Sequence, residues 1–313
     1  MIVNNANLDF IFIQGDLRFQ AGLTQGAPTF YEKICTTVPS STRENHYGFI
    51  DRLPGMREWL GERVIQNISA REYTLKNKLF EDSLALDRLD IEDDQLGLFN
   101  MSLDMLAYQV RVFPDKLVTS LIQHGEDATS LCYDGKAFFA TDHPVNIDSG
   151  TTTWSNYDST GKALTAGNFQ AARAQMQGLV GSDGTPLGVY PTLLLVPPAL
   201  EATARQILNA EFIAPGAAFG QNASSVVQTN VLKGSADLLV VPWLAGEDTT
   251  WYLLDTRFPI KPFIFQTREP AKFTYKNSPT DDNVFRLNKF VYGADVRCNA
   301  GYSLPFLAYK AVA

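Results

Sequence analysis

Apolar residues keep helical time over one long stretch of the chain, residues 89–125. Leu96, Phe99, Leu103, Leu106, Val110, Phe113, Leu117 and Leu121 recur at steps of three and four, which predicts one apolar face along a spine helix. Glu92, Asp93 and Asp94 crowd its start, where carboxylates favour the positive end of the helix dipole, and Gly125 marks a stop. About thirty residues at roughly 1.5 Å each make a rod of roughly 45 Å. Pro114 is discordant, because it lacks the backbone donor and its ring collides with the carbonyl one turn back. A kink over residues 110–114, or a second helix opening at Pro114, is therefore expected.

Elsewhere the pattern changes several times. Residues 7–25 read as a short amphipathic helix with Phe10, Gln14, Leu17 and Ala21 on one side and Gly22 and Gly26 near its end. Pro28, Pro39, the run Thr36-Thr37-Val38 and the cluster Ser40-Ser41-Thr42 predict an extended arm over 27–51, with too little apolar periodicity for a core of its own. In 53–89, Tyr73, Leu75 and Leu79 alternate with Thr74, Lys76 and Lys78, which predicts a long two-stranded hairpin. Such a ribbon is marginal in water unless it packs on its own body or a neighbouring molecule completes it. After the spine come a turn and strand over 132–144, a loop over 146–162 and an alanine-rich helix over 168–180. A proline-bounded strand over 191–198 precedes a helix over 199–212 and a loop of small residues over 216–225. Strands follow over 237–241, 251–254, 260–266 and 285–296, with a short one at the end of the chain. Helices and strands in this order predict an α+β class.

With 313 residues, 45% of them hydrophobic, the chain can fill one large or two medium cores. Its longest apolar runs fall far short of the roughly 20 residues that cross a bilayer, so no membrane partner is expected. No basic region precedes the apolar part of the N-terminus, so synthesis without a secretory signal is expected. Thirty-four acidic against 26 basic residues, a net charge of -8, argue against a nucleic-acid reader with a basic face. Cys35, Cys132 and Cys298 are too few and too dispersed for a disulfide framework or a metal cluster, and read as buried hydrophobes.

Little in the chain has the shape of a catalytic motif. There is no G-x-S-x-G elbow, no H-E-x-x-H, no phosphate loop and no G-x-G-x-x-G after a strand, and no cofactor is expected. His46, His124 and His143 form no pair at metal-ligand spacing. The sharpest enzymatic alternative sets Cys132 as nucleophile beside His143, with Asp134 or Asp142 as orienter; a polar turn is the simpler reading. Asp87, Asp90, Glu92, Asp93 and Asp94 lack the alternating ligand spacing of a calcium loop and fit a helix start better. Trp243 and Trp251 flank a glycine turn, where packing is a simpler use than sugar stacking.

The blocks LPGMREWLGER, LDRLDIEDDQLGLF, DGKAFFATDHP, PTLLLVPPALEATARQIL and NAGYSLPFLAYKA together resemble the Mu-like phage major head subunit family, the major capsid proteins of Mu-type tailed phages. The resemblance runs in order over about residues 24–310; each block alone is weak, and five in series are specific. It implies the tailed-phage, Hong Kong 97-type capsid fold. In that scheme residues 1–52 are an N-terminal helix and arm, 53–87 an extended loop, 88–163 with 272–313 a peripheral domain holding the spine, and 164–271 an inserted axial domain.

The implied function is self-assembly into hexamers and pentamers that close an icosahedral shell around double-stranded DNA, without sequence-specific contact. A virion location after assembly in the host bacterial cytoplasm is implied too. The implied partners are further copies, a separate scaffolding protein, a portal protein and a decoration protein. No long charged helical extension precedes the arm, which is why scaffolding is expected from a separate chain. Between copies, Arg57, Glu58, Trp59, Arg63 and Arg71 of the loop are expected to meet acids such as Glu81, Asp87 and Asp90. Tail or baseplate proteins, and nanocompartment-type shell proteins, are the alternative structural readings.

Overall fold

The computed structural model describes residues 5–24, 29–50, 70–87, 89, 98–147, 150, 152–213, 228–276, 278 and 281–313. Among these, the helices of four or more residues are α1 (Asn5–Thr24), α2 (Tyr31–Ile34), α3 (Leu98–Gln123), α4 (Ala166–Gln177), α5 (Glu201–Asn209) and α6 (Asp282–Leu287). The strands are β1 (Cys35–Pro39), β2 (Glu44–Ile50), β3 (Ala70–Lys76), β4 (Lys78–Asp87), β5 (His143–Pro144), β6 (Thr153–Trp154), β7 (Tyr157–Asp158), β8 (Leu193–Val196) and β9 (Phe212–Ile213). After them come β10 (Gln228–Thr229), β11 (Asp237–Val240), β12 (Thr250–Leu254), β13 (Phe263–Lys276), β14 (Lys289–Tyr302) and β15 (Ala308–Val312).

A five-stranded sheet in the order β11-β8-β12-β15-β7 holds the deepest part of the core. Every residue of β8 and β12 is buried, as strands covered on both faces require, and their sequences LLLV and TWYLL are correspondingly rich in apolar residues. Alternation divides β12 between two cores. Trp251 and Leu253 join Phe169, Met176, Ala204 and Leu208 of α4 and α5. Tyr252 and Leu254 join Phe138, Phe139 and the spine residues Val118 and Ile122. Because β15 belongs to the last residues of the chain yet ladders with β12, this sheet joins segments expected to lie in separate axial and peripheral parts.

The second sheet runs β1-β13-β14-β4, with β1 parallel to β13 and the other pairs antiparallel. One expectation changes here. The arm, expected to lack a core of its own, ladders its residues Cys35–Pro39 with Phe263–Thr267. The hairpin over 53–87 was expected to pair with itself, yet among the described residues β3 pairs with β2 of the arm, Tyr73 opposite Tyr47, while β4 ladders with β14. Asn77 sits at the division. Its amide donates to Ser40 Oγ and to the Thr42 carbonyl, and its Oδ1 accepts from Gln266 Nε2 at 2.7 Å, so the change of sheet occurs over a buried, satisfied polar hub.

The spine α3 runs unbroken through Pro114, so no second helix starts there. Leu103, Leu106, Ala107, Val112, Val118 and Ile122 are its buried apolar positions, and Phe113, Leu117 and Leu121 are half-buried beside them. Asp115, next to the proline, uses Oδ1 to accept from the backbone N–H groups of Phe30 and Tyr31 at 3.0 and 2.9 Å, satisfying donors at the start of α2. Burial pushes its carboxyl pKa up, and these two donors pull it back in part.

The α1 helix turns a different face inward from the one expected. Leu17 is 59% exposed, whereas Phe19 is fully buried. Gly22, expected as a stop, is a contact: a Cβ there would lie 2.7 Å from the Ala107 Cβ of the spine, and one at Gly15 would lie 3.2 Å from Leu103 Cδ1. Two glycines seven residues apart therefore let the helices approach closely, and an exposed Arg18–Asp104 pair, Nε to Oδ1 at 2.9 Å, borders the seam.

Candidate functional site

The surfaces of interest are those where strand edges and apolar side chains are left without a partner in the chain. The ribbon β2–β3 is fastened at its base by Tyr47 Oη donating to Gln266 Oε1 at 2.7 Å and by the Tyr302 N–H donating to Tyr73 Oη at 3.2 Å. A Cβ at Gly301 would stand 2.8 Å from Tyr73 Oη, so this contact needs glycine. Among the described residues neither outer edge of the ribbon is paired. β4 is likewise an outermost strand, ten residues long, with Leu79, Glu81, Asp82 and Ser83 exposed. Long unpaired edges are templates for another chain.

The residues expected to meet between copies fall into three groups. Arg57, Glu58, Trp59, Arg63 and Asp90 lie outside the described residues. Arg71 lies on β3, opposite Phe49. Glu81 and Asp87 share β4, six residues and so roughly 20 Å apart. Glu81 stands opposite Asp295, which has Lys272 on its other side, and accepts a hydrogen bond from Ser83 Oγ at 2.7 Å. Like charges opposite one another are unfavourable, so an edge carrying Glu81 and Asp82 favours an incoming cation. Asp87 is engaged locally, accepting from the Leu89 N–H at 2.9 Å. The structure thus puts Arg71 and the β4 acids in separate sheets of one chain.

A third surface was not legible as one. The segment expected as the start of a strand at Phe285 is instead the helix α6 at the turn between β13 and β14. Acidic Asp282 opens it, Arg286 lies in its last turn, and Asn288 ends it in the left-handed conformation at φ 52°. Asn283 Nδ2 donates to the carbonyls of Lys276 and Lys289 at 2.9 and 2.7 Å, tying the two strand ends together. On this held turn Phe285 is 82% exposed and Leu287 65% exposed, while Val284 packs inward with Phe290 and Tyr292. A Pro/Asp-rich stretch followed by Asn283-Val284-Phe285 was the available signal.

The possible chemistry fares as follows. His143 Nδ1 lies 2.6 Å from Asp134 Oδ2, both side chains are buried, and the imidazole stacks on Trp154 at 4.6 Å. Asp142 turns instead to Lys136. Burial drives the Cys132 thiol pKa upward, the opposite of what a nucleophile needs. Among the described residues no group of three or more His, Cys, Asp or Glu side chains could hold a metal ion. Among them, too, no helix is long and apolar enough to cross a membrane. Trp251 is fully buried and Trp243 packs near Lys116, 5.4 Å from its ring, so both serve packing.

Comparison with known proteins fits this picture of a body with open edges. The chain is 29% identical over 302 residues to the major capsid protein of Escherichia phage Mu, covering 96% of this chain and 72% of that protein. Its fold is similar to that in the procapsid of bacteriophage JBD30, with a TM-score of 0.60, 27% identity and coverage of 99% of this chain and 76% of the other. It is also similar to a chain in the JBD30 capsid decorated with minor capsid protein trimers, with a TM-score of 0.56, 25% identity and coverage of 70% and 91%. The fold is that of tailed-phage capsid shells, with the Hong Kong 97-type spine, sheets and ribbon described above. The profile described as Mu-like prophage major head subunit gpT matches residues 8–163, 157–244 and 245–313, and the chain belongs to that family.

Proposed function

We infer that this chain is the major head subunit of a Mu-like phage and that its copies close, as hexamers and pentamers, into an icosahedral shell around double-stranded DNA. The observation that carries the assembly mechanism is the pair of open β surfaces, the ribbon β2–β3 and the edge of β4. A two-stranded ribbon is marginal alone, and a second chain that adds a strand or packs on it removes that deficit. Each such contact can be weak, because a subunit held at several of them gains avidity from linkage, and weak contacts let a misplaced subunit leave.

In this reading residues 1–52 form the helix and arm, 53–87 the loop, 88–163 with 272–313 the peripheral part and 164–271 the axial part. The stretch Lys78–Asp87 of the loop is laddered onto peripheral β14. Arg57, Arg63 and Arg71 of one copy pair with Glu81, Asp87 or Asp90 of the next, with Glu58 and Trp59 in the same contact; the exposed acids of β4 support this. A separate scaffolding chain, a portal and a decoration protein complete the set of partners, with assembly in the host cytoplasm. With a net charge of -8 the shell would repel packaged DNA weakly and not grip it, so no sequence-specific contact is part of this reading.

Negative-stain microscopy of the expressed chain, with and without a co-expressed scaffolding protein, tests the reading. Closed shells of uniform size are expected. Open tubes or rings, or a compact monomer that persists at high concentration with its ribbon protected, would overturn it.

A further inference from the structure

We propose that Phe285 is a knob by which one copy of this chain grips the next, and that its socket is the groove between β4, β14 and the spine. This rests on the shell assembly proposed above and names a contact within it. Phe285 is the most exposed of the large hydrophobic side chains among the described residues, at 82%, with Leu287 beside it at 65%. An aromatic ring so exposed on a tied turn buries little of its surface against the body of its own chain. Rigid aromatic side chains seated in pockets are what carry most of the energy at protein interfaces.

The socket is present on the same molecule. A groove of about 210 Å³ is lined by Phe80, Val110, Phe113, Ala294 and Val296, with Glu81 and Asp82 on one side and Gln109 and Lys116 on another. Phe80 and Phe113 meet there with ring centroids 4.6 Å apart, giving an aromatic wall. A cavity of about 150 Å³ suffices to hold benzene, so a phenyl ring fits this groove. Charge agrees as well. The knob carries exposed Asp282 and Arg286, and the rim carries exposed Glu81 and Asp82 opposite exposed Lys116. Arg286 toward the acids and Asp282 toward the lysine make a complementary seating.

Knob and socket lie on different patches of one chain, so the contact is heterologous: each copy grips one neighbour and is gripped by another. Contacts of this kind generate rings where the rotation closes, which suits a shell. A second copy is the occupant the charges and the family favour, since copies of the chain are the partner present at the highest concentration in a shell.

Two variants of the full chain test this beside the wild type. Phe285→Asp is expected to lower the yield of closed shells at least about tenfold while the thermal unfolding of the unassembled protein stays unchanged. The double variant Leu287→Cys/Gln109→Cys, oxidised after assembly, is expected to give a ladder of covalent multimers that neither single cysteine gives. The native Cys35, Cys132 and Cys298 are buried and leave the background low. Shells at wild-type yield from Phe285→Asp, or a double variant that assembles but shows no ladder, would overturn the proposal. Should the double variant not assemble, the Phe285→Asp yield decides alone, and normal shells there would leave Phe285 to a partner of another kind. Wild-type chain that never closes a shell would sink the shell reading itself, and this contact with it.

Discussion

β12 and α6 carry similar side chains to opposite ends. On β12, Trp251, Tyr252, Leu253 and Leu254 are all buried, and the strand is paired on both sides within the chain. On α6, Phe285 and Leu287 stand in water, although the turn that holds them is fixed by the Asn283 amide and the left-handed Asn288. One region is complete within a single chain and the other is ordered but unfinished. Hydrophobicity alone therefore does not mark the core of this chain; in the contact proposed above, part of it is kept for the next subunit.

The contrast breaks most readily at Trp251. Truncation to alanine is expected to lower stability by about 3–5 kcal/mol, the range for large aromatic residues in cores, read as a fall in the urea midpoint of the unassembled chain. If that midpoint moved no further for Trp251→Ala than for Phe285→Asp, the distinction between finished and unfinished regions would be wrong. A smaller effect sharpens the seam between α1 and the spine. Gly22→Leu must push against the Ala107 Cβ, 2.7 Å from where its own Cβ would sit, and is expected to cost about 1–3 kcal/mol and to speed proteolysis within α1.

The smallest effect is expected at Asp115, where one oxygen caps two donors. Asp115→Asn keeps the acceptor and removes a charge that burial disfavours, so at neutral pH it should change stability by less than about 1 kcal/mol, toward greater stability. The sign with pH is determinate. Because burial raises the folded pKa, the native state holds this proton where the unfolded chain has lost it. The stability contributed by Asp115 is thus full below the unfolded pKa and lost as pH rises through the folded one. Denaturation midpoints of wild type and Asp115→Asn should converge on acidification, and a gap that widens would refute the account.

Some of these elements were legible and others were not, for reasons that can be named. The spine was visible because its apolar positions repeat over many turns, and the strands at 193–196, 237–240 and 250–254 because they are short dense apolar runs between turn residues. The inward face of α1 was not, since a glycine contact has no hydrophobic signature and reveals itself only when Ala107 and Leu103 come near. Strands on either side of Asn77 alternate alike, so nothing local says that 70–76 takes the arm while 78–87 takes β14. Phe285 reads as strand by composition; the acids before it and Asn288 after it turn it into a helix. Of the expected assembly residues, the sequence could name charges on a loop but not which chain would answer them.

Periodicity and composition by themselves determined that this chain has a long spine helix, an α+β body and no evident catalytic motif, because those properties are written in the spacing of neighbouring residues. Only the tertiary structure decided which strand joins which sheet, how closely α1 meets the spine, and which apolar side chains stay outside. Those choices depend on partners more than two hundred residues away, as Lys78 on β4 finds Cys298 on β14, and long-range pairing of that kind has no local trace.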